Sequence, residues 1–504
     1  MPLISNIYLI LLLPLLAAFS CAIIKNKSVN YIIVTVFVAI ILAQLFKIAP
    51  EFLKGKYIYS NITSQRPSLL LNYNFNIVGG FFGIIIFTQK IISLLFFKSQ
   101  IDQKTKKTNA TFHFSSLVNL FAVLLILTSS NFINLFLSIE IFSISLIATK
   151  LSIINKEQKK VILSNILIHN ISTIIFVLCL LFLYISIGSF DFIIIKQIIS
   201  DNKIDSINFA IILTLLIISV SLRFFQFWVC FKNTKIKGSV QQYVSFEDMF
   251  TKSIIGLYIL LKLSNIFYFN AQIFQELNLD KYLIVLLCIS SIYFAISTLS
   301  FKNLKLLSIF YGINHIGLIF IAILIGNISS IQSVLYYLFS FSLSCFYVYL
   351  ISVIIDNYIY SGIVNLRAQK NKGAVLIVNI ITISLFILAI FPVSILFFAN
   401  FYLLKSSLDH PLYFLIIPTI LIVSISFFIS ALNARSDLSR KIIKENILKK
   451  VLKRSQINLS FFSYNFYLAI IISLMVLNLI LIYRGNKVGE ILMEISTFIM
   501  VNQI

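Results

Sequence analysis

Charged side chains are scarce in this chain: only 11% of its 504 residues are Asp, Glu, Lys or Arg, while 60% are hydrophobic. A soluble domain covers its surface with roughly 25% charged residues. Most of this surface is therefore expected to face lipid, in keeping with a mean hydropathy of +1.01. Acidic residues are scarcer still, 17 against 40 Lys and Arg. Such an excess of cations can signal nucleic acid. Here nearly all of them lie in short loops between apolar runs, the pattern of basic loops kept on one side of a membrane, so no nucleic-acid partner is expected. The five cysteines (Cys21, Cys179, Cys230, Cys288 and Cys345) each sit in or beside an apolar run, without metal-ligand spacing. That argues against a disulfide framework or a thiolate metal site. The opening Met1–Ile24 lacks a basic n-region and a small-residue cleavage site, so it reads as a retained first span.

What is abundant is long apolar runs. A helix crossing the hydrocarbon core needs about 20 mostly apolar residues. Runs of that kind fall at 5–24, 30–48, 76–97, 114–130, 131–151, 161–188, 207–231, 244–267, 282–301, 304–326, 330–355, 374–404, 411–433 and 461–484. The expected architecture is all-α, with about 14 transmembrane helices. The longest polar stretches, 49–75, 99–112 and 434–460, are short enough to be surface loops. The tail from Val488 carries Val488, Ile491, Leu492, Ile495, Phe498 and Ile499 at helical spacing. It either lies flat in the interface, covers a neighbour, or frays.

Cations concentrate in alternate loops. The odd-numbered loops include Lys104, Lys106 and Lys107, then Lys156, Lys159 and Lys160, and a dense cluster from Arg435 to Arg454. The even-numbered loops hold few, among them Lys54, Lys56, Lys196 and Lys405. The bias, roughly three to one, places the odd loops on the cytoplasm or matrix side and both termini opposite.

Ionisable residues inside the runs are few, and each costs a few kcal/mol to insert, so each is a functional candidate. Glu140 lies near the centre of its run; it is either protonated or paired with a cation on another helix. Arg223 lies deep in the seventh run, where it either serves a buried role or snorkels to the adjacent basic loop. In the eighth run, Ser245 and Asp248 suggest a capping box, which makes Glu247 and Asp248 helix-start residues. Lys252 is too deep for a cap, although it could still snorkel. His315 is central in the tenth run and reads either as a hydrogen-bonding core residue or as a proton relay. His169 and Lys90 are weaker candidates, and His410, beside Asp409, reads as a loop residue. Pro392 interrupts the twelfth run, giving either a plain kink or an opened helix that lines a cavity.

These residues together resemble the antiporter-like subunits of respiratory complex I, NADH–ubiquinone oxidoreductase chain 2 above all, over residues 5–433. Glu140 matches an intramembrane glutamate of that family. Phe225-Gln226-Phe227-Trp228 is similar to a Phe-His-x-Trp stretch, and Lys305, Leu307, Ile313, His315 and Gly317 match a Lys-x-Leu…Ile-x-His-x-Gly stretch. Pro392 followed by Phe397-Phe398-Ala399-Asn400-Phe401-Tyr402 is similar to the twelfth-helix signature, with Asn400 in place of its lysine. The seventh-helix lysine of the family falls at Ser219, and Arg223 stands one turn on. Arginine keeps its proton at any accessible pH. Arg223 could therefore bias Glu140 but not carry a proton.

The resemblance implies two inverted five-helix repeats: residues 1–113 hold three N-terminal helices, 114–268 the first repeat, 282–433 the second, and 434–504 a basic loop, the last span and the tail. It implies proton translocation along Glu140, Lys252, Lys305 and His315, with Arg223 as a fixed charge. No flavin, iron–sulfur cluster or nicotinamide is expected in the chain itself, its partners being other membrane-arm subunits and lipid. The richness in Ile, Phe, Asn, Lys and Tyr suggests an AT-rich, organellar genome, and with it the mitochondrial inner membrane. A cation/proton antiporter subunit, or a structural subunit that no longer conducts, are the alternatives. The orientation is checked by site-directed labelling of sealed vesicles. Lys449 and Met1 are expected to react from opposite faces, and labelling of both from one face would refute the loop assignment.

Overall fold

The computed structural model describes residues 2–24, 26–53, 58–59, 74–104, 110–153, 159–201, 206–225, 239–267, 279–299, 304–340, 395–426, 428–429 and 485–501. Pro392, the Trp228 stretch, the basic loop 434–460 and the run 461–484 lie outside them. Fifteen helices stand among the described residues, with one two-residue antiparallel pair, β1 (Ile58–Tyr59) and β2 (Asn74–Phe75). The chain is an all-α polytopic membrane protein. Five of its helices carry windows of 18 or more residues long and apolar enough to cross a bilayer, the most apolar being Asn165–Ile187.

Contacts group the chain into two compact units, Met1–Leu277 with Phe498–Ile504, and Asn278–Thr497. The first contains α1 (Pro2–Ile23), α2 (Lys27–Leu53), α3 (Ile77–Lys104), α4 (Ala110–Thr128) and α5 (Phe132–Ile153). It continues with α6 (Lys159–Ile187), α7 (Phe192–Ser200), α8 (Ser206–Phe224) and α9 (Ser239–Phe267). The second contains α10 (Leu279–Thr298), α11 (Leu304–Ile325), α12 (328–340), α13 (Ile395–Leu408) and α14 (Tyr413–Ser426). Helix α15 (Gly485–Val501) forms the tail.

Helix α6 shows how a uniformly apolar sequence divides into two faces. Leu163, Leu167, Ile174, Leu181 and Ile185 point outward and stay exposed, as a lipid-facing stripe does. On the other face the Ser172 hydroxyl donates to the Ser219 carbonyl of α8 at 2.8 Å, and Phe176 and Leu183 are buried. In hydrocarbon no water competes for such groups, so inward polar side chains bond to neighbouring helices.

The junction of α4 and α5 is fixed by several independent bonds. Asn131 caps α5, its Oδ1 accepting from the Asn134 amide at 2.7 Å, a bond worth about 1 kcal/mol. The Phe132 amide donates to the Phe190 carbonyl at 3.0 Å, tying this turn to the one before α7. From α9, the Tyr258 hydroxyl donates to the Leu127 carbonyl at 2.7 Å, and Lys262 donates to both the carbonyl and the hydroxyl of Ser129. The Leu127 carbonyl in the last turn of α4, which no intrahelical amide can reach, and the Ser129 carbonyl just beyond it are thus satisfied by a different helix. Helix α7 is a short element that the span count assigns to a loop. Its Lys196 donates to Asn265 of α9 at 2.9 Å, which anchors it.

Two expectations change. Helix α9 starts at Ser239, so Ser245 is not its N-cap and the capping-box reading fails. No Pro or Gly lies between Ser239 and Ser245 to stop the helix there, and Gly238 offers the earlier boundary. Lys252 then stands 13 residues in, about 20 Å from the start of the helix. The tail, for which three states were open, is helical. Leu492 and Ile495 are buried, and Gly489 faces the Tyr336 hydroxyl so closely that an added Cβ would sit 3.2 Å away.

Helices α8 and α9 meet at Gly256, where an added Cβ would lie 2.6 Å from the Phe224 Cβ and 3.0 Å from the Phe225 ring. The Phe224 Cβ is tied to backbone and cannot swing away. Gly256→Val is therefore expected to separate the two helices and to lower stability by about 1–3 kcal/mol, read as a fall in thermal midpoint of the solubilised chain. An unchanged midpoint would show that the contact is not close.

Candidate functional site

Glu140, near the middle of α5, meets three side chains from two other helices. Arg223 of α8, only 4% exposed, donates from one terminal nitrogen to Glu140 Oε1 at 2.8 Å. His169 of α6 places Nε2 at 3.2 Å from Glu140 Oε2. The Thr173 hydroxyl reaches Glu140 Oε1 at 3.1 Å and the His169 carbonyl at 3.0 Å, so its single proton serves one of them at a time. Arg223 is held from a second side, its Nε donating to the Ser143 hydroxyl at 3.1 Å. Ser143 can accept that bond because its own proton goes back to the Ile139 carbonyl at 2.8 Å. A guanidinium thus bridges two positions one turn apart on α5. Arg223 spends its charge on Glu140, so the snorkelling alternative does not describe it.

The sequence order explains the convergence. Glu140 and Ser143 are three residues apart and share a face of α5, while His169 and Thr173, four apart, share a face of α6. Arg223 stands in the last turn of α8, which Gly256 allows to lie against α9.

A narrow cleft of about 20 Å³, room for a single water molecule, reaches this cluster. Its walls are Leu146 and Ile147 together with Ser143, Lys150, Asn165, His169, Arg223 and Lys252. Lys150 stands near the end of α5 and Asn165 near the start of α6, so the cleft lies toward the connection between these two helices. Lys252 of α9 lines the same space. Glu140, Arg223 and Lys252 are therefore brought together.

Lys305 and His315 lie in α11 of the second unit, and the Lys305 side chain is outside the described part. His315 is buried, its ring 5.7 Å from that of Tyr337 on α12. The Tyr337 hydroxyl in turn donates to Asn400 Oδ1 of α13. Asn400 is itself buried, at 7% exposure. This second polar set is made of neutral groups: a hydroxyl, an amide and an imidazole. Ser219 is buried in α8 and bonds the Leu216 carbonyl at 2.9 Å through its own hydroxyl.

Thr173, Ser143, Tyr337 and Lys262 take part although they do not stand out in the sequence. Hydroxyl residues are common in such runs and become visible only through their partners. Lys262 could have been found as a cation within Leu260-Leu261-Lys262-Leu263, but its position near the helix end reads as a snorkelling anchor. It is only 3% exposed, and its ammonium lies 5.0 Å from the Phe192 ring and 5.5 Å from the Tyr258 ring. Such cation–π contacts help to hold a charge away from water.

The family model described as NADH:quinone oxidoreductase/Mrp antiporter, transmembrane region, matches residues 129–429. The chain belongs to this family. The match takes in α5 to α14, and so Glu140, His169, Arg223, Lys252, Lys305 and His315. As an antiporter-like membrane subunit it shares its fold with chains of three solved assemblies. One is the membrane-bound sulfane sulfur reductase, an archaeal respiratory membrane complex (16% identity, TM-score 0.74, 98% of this chain and 97% of that one). Another is the Mrp complex of Dietzia sp. DQ12-45-1b (14%, 0.72, 99% and 98%). The third is respiratory complex I of Thermus thermophilus (13%, 0.66, 97% and 98%). Identities this low establish the fold alone. No curated protein sequence matches the chain.

The ion pair has a measurable consequence. Arg223→Gln leaves Glu140 without its cation and is expected to cost about 3 kcal/mol. Adding Glu140→Gln is expected to restore more than half of that. A double-mutant cycle on thermal unfolding reads the coupling; strictly additive effects would mean that the two side chains do not pair.

Proposed function

We propose that this chain is a proton-translocating membrane subunit of a respiratory NADH:quinone oxidoreductase, driven by redox chemistry elsewhere in the assembly. The observation that carries this reading is a carboxylate, Glu140, held in mid-helix by Arg223 and His169 at the head of a polar cleft with two further lysines. A purely structural bundle would gain more from packing apolar groups there, and ionisable groups in membrane interiors mark ion pathways. Family membership and the likeness to a complex I chain support the assembly assigned. The Lys305–Gly317 stretch favours chain 2 among the antiporter-like subunits. Placement in the mitochondrial inner membrane rests on the AT-rich composition, since the solved relatives are bacterial and archaeal.

The neutral Tyr337–Asn400 pair favours a second reading. With Asn400 accepting from Tyr337 where the family has a lysine, this subunit could hold the fold without conducting through that half. The Mrp likeness keeps a cation/proton antiporter subunit as a further alternative. Identifying the companions of the chain in its native membrane separates the assemblies.

Glu140→Gln decides between conduction and scaffold, because glutamine keeps the volume and neutral bonds but cannot bind a transferable proton. The variant complex is expected to assemble and to oxidise NADH, with fewer protons moved per electron in sealed vesicles. An unchanged proton ratio would leave the scaffold reading standing.

A further inference from the structure

We infer that His169 is the proton relay of the Glu140 site, taking the place that a titratable lysine would fill if Arg223 were not there. The inference rests on the proposed translocation and names the residue that performs its step at this site. Arg223 cannot release a proton. Glu140 is bonded to Arg223, His169 and Thr173. His169 is the member of the cluster with two exchangeable positions, and it lines the cleft.

The geometry around Nε2 supplies the device. That nitrogen lies 3.2 Å from Glu140 Oε2, which as a carboxylate oxygen only accepts, and 3.3 Å from a terminal nitrogen of Arg223, which only donates. With its hydrogen on Nε2 the ring donates to Glu140. With its hydrogen on Nδ1, Nε2 accepts from Arg223 instead. Nε2 therefore finds a partner in both neutral tautomers without movement of a helix. The same Arg223 nitrogen serves Glu140 Oε1 with one hydrogen and has a second to offer. Nδ1 is buried and meets no hydrogen-bond partner among the described residues, an uncommon state for a buried polar atom unless water or function accounts for it.

The step balances as follows. A proton from a cleft water or a cleft lysine binds Nδ1 and gives an imidazolium. The Nε2 proton then moves to Oε2 of Glu140, leaving a neutral carboxyl and a neutral ring protonated on Nδ1. Arg223 donates to the vacated Nε2. Release of the proton from Glu140 away from the ring, and exchange of the ring hydrogen through a cleft water that takes it from Nδ1 and returns one to Nε2, reset the site, with one proton transferred and Arg223 unchanged. The groups facing His169 during this cycle are Glu140 of α5 and Arg223 of α8, with Lys150 of α5 and Lys252 of α9 lining the same cleft.

The test uses the native complex carrying this chain with ¹⁵N-labelled histidine. The chain has four histidines, so subtraction of a His169→Gln spectrum assigns the ring. Exchange between the two neutral tautomers is expected. A ring fixed in one tautomer would overturn the relay. In sealed vesicles, His169→Gln is expected to remove at least four-fifths of the transport that Glu140→Gln removes. If Glu140→Gln lowers transport and His169→Gln does not, the relay is wrong while translocation stands. If neither lowers it, the translocation reading itself falls, and the relay falls with it.

Discussion

The first unit is organised around the cost of placing one carboxylate, about a fifth exposed, in the middle of an apolar helix where little water can solvate it. Moving a bare charge into a low-dielectric interior is unfavourable unless a counter-charge and hydrogen bonds replace the lost solvent. Glu140 receives both: a guanidinium at 2.8 Å, an imidazole at 3.2 Å and a hydroxyl at 3.1 Å. These come from α6 and α8, so the carboxylate sets the register of three helices against one another. Ser143 completes the arrangement by fixing the Arg223 plane, and Ser172, the residue before Thr173, ties α6 to α8.

Scarcity of water also shapes the α4–α5 turn. The Leu127 and Ser129 carbonyls there take donors from Tyr258 and Lys262 on α9. Lys252 and Lys262 stand ten residues apart on that helix, about 15 Å. The middle of α9 thus serves the cleft while its C-terminal part locks the α4–α5 turn. Gly256, between them, lets α8 lie close. A single helix couples the ion-pair site to the structural junction, and its small residue is what permits the coupling.

The two units differ in chemistry more than in secondary structure. The first concentrates its charge at Glu140 and Arg223. In the second, His315, Tyr337 and Asn400 of α11, α12 and α13 are joined by a ring contact and a neutral hydrogen bond. An amide held by a phenol needs no counter-ion, so this pair avoids the desolvation penalty that Glu140 and Arg223 must offset.

By itself the sequence determined the class and the candidate charges. Charge depletion and runs of twenty apolar residues allow little but a helical bundle in lipid, and Glu140, Arg223 and Lys252 stood out because ionisable residues there are rare. It could not decide which partners they chose. Glu140 and Arg223 are separated by 83 positions, and no local periodicity encodes a contact between helices so far apart in the chain. The start of α9 was misread because a Ser-x-x-Asp pattern is compatible with a cap and equally with a helix interior. Helix α7 was hidden by its nine residues, too few to register as a span. His169 looked like a residue with a structural bond to make. Only packing revealed that its Nε2 stands between a group that can only accept and one that can only donate, because that balance is a property of three helices meeting and of none of them alone.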